Sequence, residues 1–159
     1  MKMQDKIETK EKVSKNETED KSYQKFIDAT GNHNDPTSQI LKAHLLIEYY
    51  IDHILAKNFP RGDVLLKGRL SFSQKLTVLT ALDIFSSKYH ASIKGLNTVR
   101  NSCAHSLDYS VTEADVDKIG MPFGKQYLEQ KKKRFSCIGE LLHWTLAIPV
   151  IQLAAESDS

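Results

Sequence analysis

Asp35-Pro36-Thr37-Ser38-Gln39-Ile40-Leu41-Lys42-Ala43-His44-Leu45 opens the stretch that decides the fold. Asp35 has the side chain to cap a helix, and Pro36 suits a first turn, where its missing N–H leaves no bond unmade. Beyond them Ile40, Leu41, His44, Leu45, Ile47, Ile51, Ile54 and Leu55 recur at helical spacing to about Lys57. Phe59-Pro60-Arg61-Gly62-Asp63 closes this helix and reads as a loop.

Working outward, a second helix is predicted from about Ser71, with Phe72, Leu76, Leu79, Leu82 and Phe85 on its inner face. A third runs from about Lys88 to near His105 on Tyr89, Ile93, Leu96 and Val99. Thr112-Glu113-Ala114-Asp115 is a capped start, and Gly120-Met121-Pro122 ends the short piece it opens. A long last helix is predicted from about Gly124 to Ala155, with Leu128, Phe135, Ile138, Leu141, Leu142, Thr145 and Leu146 inward. Pro149 is expected to kink it by removing the bond to the Thr145 carbonyl. No stretch alternates with period two, so the expected class is an all-α bundle of four to five helices.

Upstream, Met1–Lys21 holds six lysines and six acids, no aromatic residue, and only Met1, Met3, Ile7 and Val13 as aliphatics. Such a segment buries too little apolar surface to offset its conformational entropy. It is expected to be a charged, mobile tail, or a helix formed only on docking. Residues 22–35 read as a short helix and linker, with Tyr23, Phe26 and Ile27 at its start and Gly31-Asn32-His33-Asn34 at its end. Residues 36–159 carry the single domain.

At 159 residues the chain has room for little more than that one domain. With 40% hydrophobic and 26% charged residues it is neither collagen-like nor a disulfide scaffold. The most apolar run, Leu141–Ala155, falls short of the ~18–20 residues of a membrane span. Cys103 and Cys137 lack a CxxC partner and point to a reducing compartment. The amino terminus has no apolar signal core, so a cytoplasmic protein is expected. From Pro36 to Ser159 there are 15 basic and 12 acidic residues, a balance near +3 and far from that of a dedicated polyanion binder.

Familiar catalytic signatures are missing: no Gly-rich phosphate loop, no HExxH, no GxSxG. The histidines 33, 44, 53, 90, 105 and 143 include no i,i+4 pair, so no helix-borne zinc site is expected. What remains is Val99-Arg100-Asn101-Ser102-Cys103-Ala104-His105, at the end of the third helix. Arg100 continues the Tyr89–Ile93–Leu96 stripe, where an unpaired charge is expensive and calls for an internal carboxylate or an anionic ligand. Glu48, Asp52 and Asp83 are the acids within reach of such a helix, with Glu48 the first choice. His105 lies about 140° around the helix from Arg100, whereas Asn101 shares its face. Because Ser106-Leu107-Asp108-Tyr109-Ser110 reads as a loop, the helix is expected to loosen at Ala104-His105 and let Arg100 and His105 converge on one anion. The plainer reading is a buried ion pair with a histidine favouring the helix C-terminal dipole.

This R-N-x-x-x-H stretch, closing the third long helix of a small α-bundle, resembles the HEPN domain family. The family signature is Arg, four to six residues, then His, often with a polar residue after the Arg. The resemblance spans residues 36–155, with only the motif specific. It implies a homodimer in which two such motifs face each other, and a metal-independent endoribonuclease of the toxin or defence type, without cofactor. His105 would then be general acid or base on the RNA 2′-hydroxyl or leaving 5′-oxygen. Arg100 would clamp the scissile phosphate, Asn101 would orient His105 or hold phosphate, and Glu48 would support Arg100. RNA and an antitoxin or nucleotidyltransferase protein are the implied partners, with no membrane.

Lys131-Lys132-Lys133-Arg134 covers every side of the expected last helix, so some stems must lie along apolar surface. Lys131 and Arg134 are candidates for RNA-backbone contacts. Cys103 reads as a small inward residue rather than a nucleophile, and Ser102 as spacing. Two rivals to the ribonuclease are a non-catalytic regulator resembling the mannitol operon repressor group and a plain helical dimerisation module.

Overall fold

The structure, a computed structural model, describes Lys21 and residues 23–159. The tail expected over residues 1–21 lies outside the described residues except for Lys21. Among the described residues the regular structure is entirely helical. Helix α1 covers residues 23–30. There follow α2 (Pro36–Asn58), α3 (Gly62–Lys67), α4 (Phe72–Ala81), α5 (Ser87–His105), α6 (Glu113–Gly120), a 3₁₀ turn (Met121–Phe123), α7 (Lys125–Lys131) and α8 (Ile138–Asp158).

Caps fix most of the boundaries. Asp35 accepts from the Ser38 N–H at 3.0 Å and starts α2. Ser71 with Gln74, and Thr112 with Asp115, form reciprocal capping boxes at α4 and α6. Helix α4 stops at Ala81 instead of running on to Phe85, because Leu82 closes it and Asp83 takes a left-handed backbone (φ 51°). Phe85 is still buried, its ring 5.7 Å from that of Tyr89. The loop expected after Phe59 contains the six-residue α3.

The long final helix is in fact two. Helix α7 ends at Lys131, and α8 begins only after Cys137, where Glu140 accepts from the Ser136 N–H and hydroxyl at 2.9 and 2.7 Å. Continuing the helix through Lys131–Arg134 would stack like charges one turn apart. The break leaves Lys132, Lys133 and Arg134 exposed, with Lys133 lining a shallow pocket beside Phe135, Ile138 and Leu141. Helix α8 continues through Pro149 to Asp158.

Helix α2 is the centre of the bundle, and its most extensive contact is with α8. The two are parallel: Gln39 lies against Gly139, and Lys57 Nζ donates to the Glu156 carbonyl at 3.4 Å. Gly139 is required at that crossing, since a Cβ there would collide with the His33 carbonyl. Helix α5 runs antiparallel to both, with Cys103 near Thr37, Asn97 bonded to His44, and Tyr89 near Glu156. Ile40, Ile47, Ile51 and Ile54 of α2, Ile93, Leu96 and Val99 of α5, Ile119 of α6, and Leu142, Leu146 and Val150 of α8 are fully buried. Each contributes about 1.5–3 kcal/mol of transfer free energy. Helix α8 is long and apolar enough to cross a membrane by composition, yet 61% of its most apolar window is buried within this bundle.

Candidate functional site

Arg100, Asn101 and His105 sit on the last two turns of α5, at the end of the bundle formed by the N-terminal halves of α2 and α8. The core-facing row of α5 is Ser92, Ile93, Leu96 and Val99, all buried. Arg100 is only half-buried, because Val99 takes the last core position and the bundle ends beside it. Its Nη1 donates to Asn101 Oδ1 at 3.2 Å. Among the described residues no carboxylate stands within ion-pair distance of it. The expected Glu48 partner is engaged elsewhere: Lys75 Nζ lies 2.8 Å from Glu48 Oε1 and 2.9 Å from the Asp52 carboxylate. Lys75 is buried on α4 beside Leu76 and Leu79, so it draws both acids to itself.

His44 supplies the contact that the sequence did not reveal. It is buried on α2, its Nε2 is 3.1 Å from Asn97 Oδ1, and its ring lies 4.1 Å from that of Phe72. Burial pushes its pKa below the ordinary histidine value, and the Arg100 charge pushes the same way, outweighing Asn97 and Glu48. A neutral His44 beside Arg100 therefore adds no second cation to this corner.

His105 is exposed and is the final residue of α5. The expected loosening at Ala104-His105 does not occur, and Ser106 turns to extended backbone only afterwards. Arg100 and His105 thus leave the helix about 140° apart, while Asn101 shares the His105 face. One chain does not bring the two motif residues onto one side of α5.

The segment after His105 is tied back to the fold. Tyr109 Oη donates to Asp115 Oδ2 at 2.7 Å. Asp115, 2% exposed, also accepts from the Thr112 N–H, the Thr112 hydroxyl and Lys118 Nζ. Burial alone would raise its carboxyl, but the Lys118 ammonium and these donors hold it down at about 2. Between His105 and Tyr109, Leu107 is fully exposed.

The remaining candidates divide. Lys131 bonds Glu113 and Asp117 at 2.8 and 2.7 Å, which spends its charge within the protein. Arg134 is exposed in the 132–137 loop. Burial, then the Asp115 charge, raises the Cys103 thiol pKa, which keeps it a poor nucleophile. Ser102 donates to the Thr98 carbonyl at 3.3 Å. Among the described residues no three His, Cys, Asp or Glu side chains converge to hold a metal ion. No family model matches the chain, and neither a curated protein nor a solved structure matches it.

Proposed function

We propose that this chain is a HEPN-like, metal-independent endoribonuclease of the toxin or defence type, acting in the cytoplasm as a homodimer around the Arg100–His105 helix end. The observation that carries the reading is Arg100: a half-buried guanidinium at an open end of the bundle, with Glu48 and Asp52 both engaged by Lys75. A cation held by an amide and left without a carboxylate suits a phosphate ligand.

In this reaction a His105 imidazole takes the proton of an RNA 2′-hydroxyl. The resulting oxygen attacks phosphorus, the P–O5′ bond breaks, and a second imidazole protonates O5′. The products are a 2′,3′-cyclic phosphate and a 5′-hydroxyl. Arg100 stabilises charge developing on the phosphate oxygens, and Asn101 holds the guanidinium. The separation of Arg100 and His105 around α5 favours a two-chain site, in which one protomer supplies the base and its partner the acid. The outer face of α2, with Leu41, Leu45 (64% exposed) and Tyr49 at i, i+4 and i+8, is an apolar stripe suited to a second copy. A protein partner such as an antitoxin or nucleotidyltransferase would then restrain the dimer.

A regulator without catalysis, resembling the mannitol operon repressor group, is the second reading. It is favoured by the fully exposed Leu107 beside His105, which suits a protein partner. The two readings part on one experiment: purified protein incubated with structured and unstructured RNA in EDTA, beside Arg100→Ala and His105→Ala. Cleavage by the wild type that both variants lose supports the nuclease. Cleavage that persists in both variants rejects this site, and absence of cleavage in the wild type favours the regulator.

A further inference from the structure

A groove of about 670 Å³ lies between α4 and α5. Thr77 and Thr80 line it from α4, and His90, Ala91, Lys94 and Asn97 from α5. His90, Lys94 and Asn97 belong to a row that continues, at i+3 and i+4 steps, to Asn101 and His105. At 1.5 Å per residue, Asn97 stands about 12 Å before His105 and about 4.5 Å before Arg100 along the helix. The groove is thus the strip of surface leading into the candidate site.

Its chemistry is that of a nucleotide subsite. Lys94 is exposed, and among the described residues no carboxylate lines the groove. His90 is a flat ring fixed against Phe85, with centroids 4.5 Å apart and planes 17° apart, and with Nδ1 2.8 Å from the Thr80 hydroxyl. Asn97 spends its carbonyl oxygen on His44, so what it retains for a ligand is its amide N–H donors. A positive charge for phosphate, a flat ring beside small apolar residues for a base, and a donor without a matching acceptor are thereby placed together.

We propose that this groove holds one unpaired nucleotide of single-stranded RNA flanking the scissile phosphate. Because His44 occupies the Asn97 oxygen, the amide can donate to a base but cannot accept from the amino group of adenine, so uracil, with two carbonyl acceptors, binds in preference to adenine. The proposal rests on the reading of Arg100 and His105 as an RNA-cleaving site. The test uses the full chain and 2′-O-methyl octamers of U or A, which bind without being cut, followed by fluorescence anisotropy. Lys94→Glu and Ala91→Trp alter exposed positions and are first checked for an unchanged Tm.

The expected result is binding of oligo-U at least threefold tighter than oligo-A, weakened about tenfold by either variant. On cleavable RNA the same variants raise KM about tenfold and leave kcat unchanged, whereas His105→Ala lowers kcat and leaves oligo-U affinity intact. If the wild type cleaves RNA but both groove variants keep its affinity and KM, the groove is overturned and the nuclease stands. If the wild type cleaves nothing yet binds oligo-U through the groove, the nuclease falls and the subsite stands. Failure to bind either octamer overturns the groove.

Discussion

Helix α6 and the end of α5 pack against each other and treat charge in opposite ways. On α6 both aspartates are saturated, Asp115 by Tyr109, Thr112 and Lys118 and Asp117 by Lys131 and Tyr127, and the more exposed Glu113 pairs with Lys131. On α5, Arg100 has one amide partner and His105 stands in solvent. Saturated polar groups stabilise one geometry, whereas a cation left with spare donors has capacity for a ligand. The difference separates polar residues that hold the fold from those available for chemistry.

The comparison breaks most visibly in activity. Arg100→Ala and His105→Ala are each expected to lower RNA cleavage by about 10²–10³-fold, with Tm little changed. Cleavage rates and thermal melts on the same preparations check both halves. Asp115→Ala reverses the pattern. Loss of the cap and of a buried, paired carboxylate is expected to cost about 3 kcal/mol, or about 6–12 °C in Tm. Cleavage per folded molecule should fall far less than in the α5 variants.

Acid sharpens the same contrast. Burial first of all holds His44, His90 and His143 below the ordinary value of 6.5. Their neutral forms therefore favour the fold, and that stability is complete above pH 6.5 and is lost as pH falls through their lowered values. Asp115, held at about 2 against an ordinary 3.8, contributes about 2 kcal/mol above pH 4, lost between pH 4 and 2. Urea midpoints against pH should fall in two stages, and Asp115→Ala should remove much of the second.

Smaller effects address the neighbours. Glu48→Gln is expected to cost at most about 1 kcal/mol through Lys75 and to leave cleavage unchanged. A loss of activity comparable to that of Arg100→Ala would restore Glu48 as the partner of Arg100. Arg134→Ala is expected to weaken RNA binding only a few-fold and to reduce its log–log salt slope by about one, whereas Lys131→Ala should lower Tm and leave the slope alone.

Caps and periodicity made much of the fold legible. Asp35-Pro36 and Thr112-x-x-Asp115 mark real helix starts, and the α5 stripe ends where its apolar residues end. The break between α7 and α8 was hidden, because apolar residues on both sides of Lys131–Arg134 keep helical phase across the gap. Pairings were less legible than faces. A stripe tells which side of a helix is inward but not which helix lies opposite, so it does not reveal that Glu48 meets Lys75 instead of Arg100. Lys75 carried the missing signal: it shares the Phe72–Leu76–Leu79 face of α4, just as Arg100 adjoins the stripe of α5. Asn97 gave no such sign, since a polar residue beside a core stripe is ordinary until the helix across from it is known to bring His44.

The parallel packing of α2 on α8 has a temporal consequence. Parallel neighbours cannot be joined by a tight turn, so everything from α3 to α7 is the connection between them, and contacts such as Lys57 to Glu156 span 99 residues. Long-range contacts form slowly, because loop closure precedes any gain from packing. During synthesis α2 and α5 leave the ribosome well before α8 does. Until α8 emerges, α2 lacks the helix with which it makes its most extensive contact.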